Sequence, residues 1–155
     1  MKHPVVLHLA APGSLEKILP LFRAYQEHYS ALTSADETKT RRFLLELLAK
    51  PEAGFAVTAE SEGKVVGFAT GFFTVSGVLA EHMVHLGDLY VIPEYRHQGI
   101  ATALINRVTE EARARGIGLV RWLSVAANTE LNQWYASLGA TSGDFKLFLK
   151  PTGRE

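Results

Sequence analysis

The chain has 155 residues, of which 47% are hydrophobic and 21% charged, as is typical of one globular domain with a real core. Sixteen basic residues balance sixteen acidic ones, which disfavours nucleic-acid binding, and no apolar run is long enough to predict a membrane span. The absence of cysteine excludes thiol nucleophiles and thiolate metal sites. With no tight His/Asp/Glu cluster and no signal-peptide core, we expect a cytoplasmic protein without metal or membrane partners, folded as a single domain over residues 1–155.

The N-terminal region predicts a strand followed by an amphipathic helix. Val5–Leu9 is a short β-prone run, and a Pro-Gly pair breaks it. Ser14 can cap the helix that follows, which should kink if it continues past Pro20. The apolar side of this helix is formed by Leu15, Ile18, Leu21, Phe22, Tyr25 and Tyr29.

A second helix and a hairpin come next. Ser34 and Glu37 have the spacing of a capping box, so they predict a helix start, and the helix should stop before Pro51. Two β-prone runs then surround a Glu-Gly pair, which predicts a hairpin. Its strands are residues 55–59 and 65–73, joined through residues 61–64.

The stretch from Asp88 to Arg115 predicts a strand, a sharp turn and a helix. A strand from Met83 leads into Asp88–Ile92 and must end at Pro93, because proline has no N–H for the ladder. Apolar residues then recur at helical spacing from about Gln98 onward. They are Ile100, Ala103, Leu104, Val108 and Ala112.

The start of this helix has the features of an anion site. No Ser, Thr, Asp or Asn is placed to cap the first N–H groups, and Gly99 lets another molecule approach the main chain. These N–H groups lie at the positive end of the helix dipole, and Arg96 adds a guanidinium suited to phosphate oxygens. An ordinary glycine loop beside a solvated arginine is the alternative interpretation.

The C-terminal part predicts two strands on either side of a fourth helix. Leu119–Val125 follows the long helix, so it should pair in parallel with the strand before that helix. Asn128 can cap a further short helix that carries Tyr135. The alternating run Asp144–Lys150 predicts a closing strand.

Two of these motifs resemble those of the GNAT superfamily of N-acyltransferases. The segment Arg96–Ala101 matches the acyl-CoA loop pattern Gln/Arg-x-x-Gly-x-Gly/Ala, with alanine in place of the commoner last glycine. The segment Asn128–Ala140 is similar to the family pattern that runs from an asparagine to a tyrosine and then to a glycine. The resemblance implies an α/β (α+β) fold: a central mixed sheet with largely antiparallel N-terminal strands, a parallel pair splayed around acyl-CoA, and about four flanking helices.

The resemblance also implies acetyl-CoA as cosubstrate and an amine as acceptor. Val91 N–H would donate to the thioester carbonyl, Asn128 would bind near the thioester, and Tyr135 would protonate the leaving sulfur. A phenol with a pKa near ~10 is matched to a thiolate. The implied cofactor-binding residues are Leu89, Tyr90, Val91, Arg96, His97, Gln98, Gly99, Ile100, Ala101, Thr102, Asn128 and Tyr135.

Two residues are candidates for the general base, directly or through water. Simple alternation along the strand puts His85 and Asp88 on opposite faces, unless a bulge shifts the phase. Family members place a bulge near this point, and the chain has Gly87 there. Each candidate also has a structural interpretation, with Asp88 as a loop anchor and His85 as a core residue.

The acceptor is the least defined part of the prediction. Polar aromatic and ionisable residues that could line its pocket are Tyr25, His28, Tyr29 and His82. A small-molecule amine is the primary hypothesis; a protein or peptide amine, or a non-catalytic acyl-CoA-binding module, are alternatives. The family resemblance and the alternating run 145–149 further predict a homodimer paired through an exposed edge strand.

Overall fold

The structure, a computed structural model, describes residues 3–29 and 35–154. It divides into two compact units, Met1–Leu123 and Ser124–Glu155. None of the helices in these described ranges is long and apolar enough to cross a membrane.

In the described residues, the first unit contains one mixed sheet and three α-helices. The sheet has five strands in the order of the chain: β1 to β4 are antiparallel neighbours, and β5 is parallel to β4. This confirms the predicted mixed sheet with a C-terminal parallel pair. The elements are β1 (Val6–Leu9), α1 (Leu15–Glu27), α2 (Glu37–Ala49), β2 (Gly54–Ser61), β3 (Lys64–Ser76), β4 (Glu81–Val91), α3 (Ile100–Ala114) and β5 (Leu119–Arg121).

The hairpin between β2 and β3 forms where the sequence predicts it. Ser61 pairs with Lys64, and the two residues between them, Glu62 and Gly63, have φ values of 51° and 78°. Two consecutive left-handed residues match the right-handed twist of a tight hairpin. This turn therefore fixes the register of the first two long strands.

Alternation along β3 shows which helices cover each face of the sheet. Phe68 stacks on Phe22 of α1 with ring centroids 5.0 Å apart, whereas a Cβ at the preceding Gly67 would lie 3.3 Å from Leu104 of α3. Adjacent residues of a strand point to opposite faces. Phe72, on the Phe68 face, contacts Phe43 of α2. Helices α1 and α2 therefore cover one face, and α3 covers the other.

The helix starts differ from the predicted caps. Ser34, half of the predicted capping box, lies outside the described residues; the side chain that caps α2 is Asp36, which accepts a hydrogen bond from the Lys39 N–H at 2.8 Å. Ser14 occupies the cap position of α1, but its hydroxyl accepts from the Ala11 N–H of the preceding turn at 3.4 Å. Helix α1 does continue past Pro20.

Strand β5 is shorter than predicted. The sequence predicts a strand over Leu119–Val125, but the ladder holds only Leu119–Arg121, opposite Met83–His85 of β4. A strand lasts only as long as its partner remains within hydrogen-bonding distance. The parallel pairing therefore ends at His85 and Arg121, and the splay around acyl-CoA that the resemblance implies stays a prediction.

The second unit consists of a short helix with irregular segments on both sides. Helix α4 (Thr129–Ser137) is capped by Asn128, as predicted, and the Asn132 amide donates to the carbonyls of Val125 and Ala126 at 3.1 and 3.2 Å. The predicted closing strand Asp144–Lys150 is wrong, since residues 141–150 have no regular secondary structure. Alternation alone does not make a strand without a ladder partner, and the described part of this unit has none. The homodimer stays a prediction, without that strand as support.

Candidate active site

The turn after β4 leaves the start of α3 open to an anion. Gly99 is the cap residue of α3, with φ of 84°, and no side chain of the described residues caps the helix. His97 is also left-handed, with φ of 59°, and a Cβ built on Gly99 would meet nothing within 4 Å. The uncapped N–H groups of the first turn thus lie at the positive end of a 15-residue helix, with open space beside the glycine.

The residues around Gly99 contribute unequally to this site. Ala101 and Thr102 lie part-buried in the first turn of α3, whereas the Ile100 side chain is buried in the core, so Ile100 can offer only its backbone. The Gln98 amide donates to the Glu94 carbonyl at 3.4 Å, and its oxygen accepts from the His3 N–H at 3.2 Å. Gln98 therefore connects the turn to the N-terminal segment.

Arg96 ties the turn to the end of β4. Its Nε–H donates to the Val91 carbonyl at 2.8 Å, and its guanidinium carbon lies 5.5 Å from the centroid of the Tyr90 ring. Both contacts involve the strand that precedes the turn. Arg96 thus holds the turn against β4, a structural role that sequence reasoning did not anticipate.

Among the described residues, Leu89–Val91 at the end of β4 have no ladder partner on the side away from β3, and this unpaired edge is the gap. Val91 is opposite Gly67 of β3, while β5 reaches only His85 on the other side. The next N–H, that of Ile92, donates to the Val66 carbonyl of β3 at 2.9 Å. Because successive N–H groups of a strand point in opposite directions, the Val91 N–H is directed away from β3, toward the gap.

Gly87 is a β-bulge, and it changes which side chains share a face. The β3–β4 register pairs Gly71 with Leu86 but Thr70 with Asp88, so Gly87 is an extra residue in β4. His85 is opposite Phe72, two residues from Thr70 along β3, and residues two apart on a strand share a face. His85 and Asp88 therefore lie on the same face, the one covered by α1 and α2.

The Asp88 carboxyl is held by hydroxyl groups from two directions. Thr70 Oγ1 donates to Asp88 Oδ2 at 2.5 Å from the neighbouring strand. Burial raises the pKa of Asp88 above its ordinary value, while hydrogen bonds from Thr70 and Tyr25 and the nearby His85 oppose that rise. Hydrogen bonds from these hydroxyl groups stabilise the ionised carboxylate and so offset part of the free-energy cost of burying its charge.

His85 is biased toward its neutral form. Burial lowers the pKa of His85 below its ordinary value, the positive charge of Arg121 on β5 lowers it further, and Asp88 acts in the opposite direction. Its Nδ1 is buried, and no described residue makes a hydrogen bond to that atom. A neutral imidazole can accept a proton, which a general base requires.

The four predicted acceptor residues are not all brought together. Tyr25 lies 5.7 Å from Phe68 and 6.0 Å from Tyr90 between ring centroids, and His28 lies 5.8 Å from Tyr90. Tyr29 contacts Tyr25 at 5.3 Å. These rings lie at the Tyr90 end of the face that carries Asp88, so α1 and the two residues that follow it supply an aromatic wall.

His82 is not part of this aromatic wall. It lines a cavity of about 520 Å³ whose other lining residues are Pro51, Glu52, Phe73, Thr74, Val75, Arg115, Gly116 and Ile117. None of the α1 aromatic residues borders this cavity.

Thr70 is the site residue that sequence reasoning missed. It is 1% exposed and bonded to the predicted catalytic aspartate. Ser76 pairs with Glu81, and an uninterrupted antiparallel register counted from this pair would place Thr70 opposite Gly87. The bulge places Thr70 opposite Asp88 instead. The signal that could have found it was the glycine at 87 combined with that register.

In the second unit, the Asn128 side chain has a defined structural role. Its Oδ1 accepts from the Leu131 N–H at 3.0 Å, which caps α4. Tyr135 lies on this helix beside Trp134, with ring centroids 5.0 Å apart. Across the described ranges of both units, no group of three His, Asp or Glu side chains could hold a metal ion.

Comparison with known proteins identifies the family of this chain. The family model described as the acetyltransferase (GNAT) family matches residues 18–140. An uncharacterised N-acetyltransferase of Methanocaldococcus jannaschii is 31% identical over 127 residues, covering 81% of this chain and 54% of that protein. The thialysine N-epsilon-acetyltransferase of Mus musculus is 38% identical over 82 residues, covering 52% of this chain and 48% of that protein.

A solved structure shares the whole fold. The aminoglycoside N-acetyltransferase AAC(6')-Iy, solved in complex with CoA, has a TM-score of 0.82 at 18% identity, over 97% of this chain and 96% of that one. The chain spans about half the length of the two curated relatives described above. The family match nevertheless includes both the glycine turn and the segment around Tyr135, and the chain belongs to the acetyltransferase (GNAT) family.

Proposed function

We propose that this chain is an acetyl-CoA-dependent N-acetyltransferase that acts on a primary amine of a small molecule. The observation that carries the proposal is the uncapped start of α3 at Gly99, next to the unpaired edge of β4. An anionic cosubstrate and an extended acyl arm need these two features side by side. We further propose that residues 1–155 form a single catalytic domain, that it is cytoplasmic, and that it forms a homodimer.

The acyl donor binds along the gap and the turn. The N–H groups at the start of α3 receive the pyrophosphate, with Arg96, His97, Gln98 and Thr102 around it, while the backbone of Leu89–Val91 receives the pantetheine arm. The Val91 N–H is directed away from β3, as its neighbour Ile92 indicates, and donates to the thioester carbonyl oxygen. This bond strengthens as negative charge develops on that oxygen.

The amine binds on the face of the sheet that α1 covers. It arrives as an ammonium and must lose a proton before its nitrogen attacks the thioester carbon. His85 and Asp88 share this face and are the two candidates for the base, directly or through water. The new C–N bond forms as the C–S bond breaks.

The leaving thiolate takes a proton from Tyr135, and Asn128 supports the thioester end of the cosubstrate. The products are an N-acetyl amide and the free thiol of CoA. Protonation of the sulfur prevents the thiolate from attacking the amide in reverse, so Tyr135 acts only in the second half of the reaction.

The names of related proteins support a small-molecule acceptor. One relative is named for thialysine and one structural neighbour for aminoglycosides. The aromatic wall of Tyr25, His28 and Tyr90 with one carboxylate nearby fits a compact cationic amine.

A panel of amines with a thiol readout tests the proposal. Free CoA is measured with a thiol reagent, to which a chain without cysteine adds no background. We expect turnover with small diamines, amino acids with side-chain amines, or aminoglycosides. Turnover only with peptides would favour the protein-amine alternative, and CoA binding without turnover on any amine would leave an acyl-CoA-binding module.

A further inference from the structure

We propose that Thr70 is a positioning residue, which fixes the Asp88 carboxylate as the anionic group that receives the cationic amine of the acceptor. This inference rests on the proposed function and names the recognition element of its acceptor site. Thr70 acts through Asp88 and does not itself contact the reacting atoms.

The geometry of the pair is specific. Thr70 and Asp88 are directly opposite each other on β3 and β4, and the hydroxyl donates to Oδ2 at 2.5 Å. Thr70 is 1% exposed, so its hydroxyl is shielded from solvent, and Asp88 is partly buried. A β-branched threonine in a strand has few accessible χ1 rotamers, which holds its hydroxyl, and with it one carboxylate oxygen, in place.

The carboxylate has no cation of its own among the described residues. The acidic residues that form ion pairs within the described part of the chain are Glu16, Glu37, Glu60 and Glu111. Asp88 has only neutral hydroxyl donors and the weakly basic His85 around it. A buried carboxylate of this kind gains most from a cationic ligand, because burial without a counter-charge is costly.

The aromatic wall adds to the same preference. Tyr25 hydrogen-bonds to Asp88 and packs against Tyr90 at 6.0 Å and Phe68 at 5.7 Å. Aromatic faces attract ammonium groups, whereas they offer no strong partner to an anion. Asp88 and these rings together select an amine in its protonated form.

The bulge keeps this arrangement open. A Cβ at Gly87 would lie 3.2 Å from Thr70 Oγ1 and 2.5 Å from Phe72 Cε2. A side chain at that position would push against the donor and its neighbour. Glycine at 87 therefore both shifts Asp88 opposite Thr70 and leaves room for their contact.

Removing the Thr70 hydroxyl should change how Asp88 titrates. The hydrogen bond favours the charged carboxylate, so Thr70→Val should raise the pKa of Asp88 further. The other described ionisable groups around this place are Tyr25 of α1, His28 and Tyr29 just after α1, and His85 and Tyr90 of β4, with Arg121 of β5 acting on His85. From α2, Phe43 packs there and does not titrate.

The experiment combines a direct titration with kinetics. The Asp88 carboxyl is followed by carbon-detected NMR in the wild type, Thr70→Val and Thr70→Ser, and KM and kcat for the best amine are measured across pH. In Thr70→Val we expect the carboxyl to titrate at higher pH. As the solution is acidified, KM of Thr70→Val should therefore begin to rise at a higher pH than KM of the wild type. At the lowest pH measured, the KM of the variant should exceed that of the wild type by about tenfold, whereas kcat at high pH should be retained. Thr70→Ser, which keeps a hydroxyl, should restore the wild-type titration of Asp88 and the wild-type dependence of KM on pH.

Thr58→Val is the matched control. Thr58 is also buried in a strand of the same sheet, opposite Phe68 rather than Asp88. The Thr58→Val substitution should alter the free energy of unfolding without changing the titration of Asp88 or the dependence of KM on pH. An unmoved titration in Thr70→Val, or a moved titration with an unchanged KM profile, would overturn the positioning role alone. A wild type that acetylates no amine would remove the proposed function, and this inference with it.

Discussion

His85 and Asp88 face the same side of strand β4 because Gly87, between them, is an extra residue in the strand. Without the bulge, three positions of separation would place the two side chains on opposite faces. The bulge instead puts an imidazole with a lowered pKa and a carboxyl with a raised pKa on one surface, under the aromatic residues of α1. Acid–base chemistry on an amine becomes possible at this surface.

The first prediction assigns the proton acceptor from the pH profile. Since burial and Arg121 lower the pKa of His85, kcat/KM should fall as the pH drops through a value below 6.5, where the imidazole becomes protonated. We expect His85→Gln to remove this limb. Asp88→Asn should keep the limb and raise KM for the amine.

The opposite pattern in these two variants would assign the base to Asp88. A limb that survives both changes and follows the pKa of the substrate amine would remove both residues from proton transfer. Amines of different basicity separate these cases. If the limb of the pH profile reports the substrate, its pH shifts with the pKa of the amine, whereas a limb set by His85 or Asp88 does not shift.

The second prediction concerns the bulge glycine. Gly87→Ala places a methyl group where Phe72 and Thr70 already pack, so the Phe72 ring must move. We expect a loss of about 1–3 kcal/mol in the free energy of unfolding, the usual range for overpacking. Chemical denaturation measures it.

Gly77→Ala is the control for Gly87→Ala. A Cβ at Gly77 would meet nothing within 4 Å, so this change should alter the free energy of unfolding by less than about 1 kcal/mol. Equal effects of the two substitutions would contradict the close packing around Gly87.

The third prediction tests the glycine turn as the CoA site. Gly99→Asp adds bulk and negative charge beside the N–H groups at the start of α3, so thermal stabilisation by CoA should be lost. Gly99→Asn adds similar bulk without charge and tolerates a positive φ. We expect it to bind CoA at least about tenfold more tightly than the aspartate variant, a difference of about 1.4 kcal/mol.

Melting temperatures across a CoA titration give both affinities for the third prediction. If the aspartate variant is stabilised by CoA as much as the wild type, the phosphates bind elsewhere. The unliganded melting temperatures show whether either substitution disturbs the turn itself.

The fourth prediction concerns the leaving group. Tyr135→Phe keeps the aromatic ring beside Trp134 and removes only the hydroxyl. If Tyr135 protonates the sulfur, kcat should fall by about 10²-fold, the usual scale of general acid catalysis, while CoA affinity and the melting temperature are retained. Turnover at the wild-type rate would leave Tyr135 a packing residue of α4.

Local chemistry in the sequence was enough to predict the β2–β3 hairpin and the turn at Gly99. A Glu-Gly pair between two β-prone runs specifies a tight turn, and a glycine before an uncapped amphipathic helix specifies an open N-terminus. Both depend on residues close in the chain. The same holds for Asn128, which caps α4 as its position predicts.

Only the tertiary structure decided the features that depend on a partner strand. The run 144–150 alternates like a strand but forms no ladder with the described residues, and β5 pairs with β4 only as far as Arg121. The contact of Thr70 with Asp88 likewise requires the register of β3 against β4, which a single extra residue at Gly87 shifts by one. Hydrogen-bond partners that are far apart in sequence set these outcomes, and the alternation within one run does not show which strand it pairs with or where a bulge interrupts the ladder.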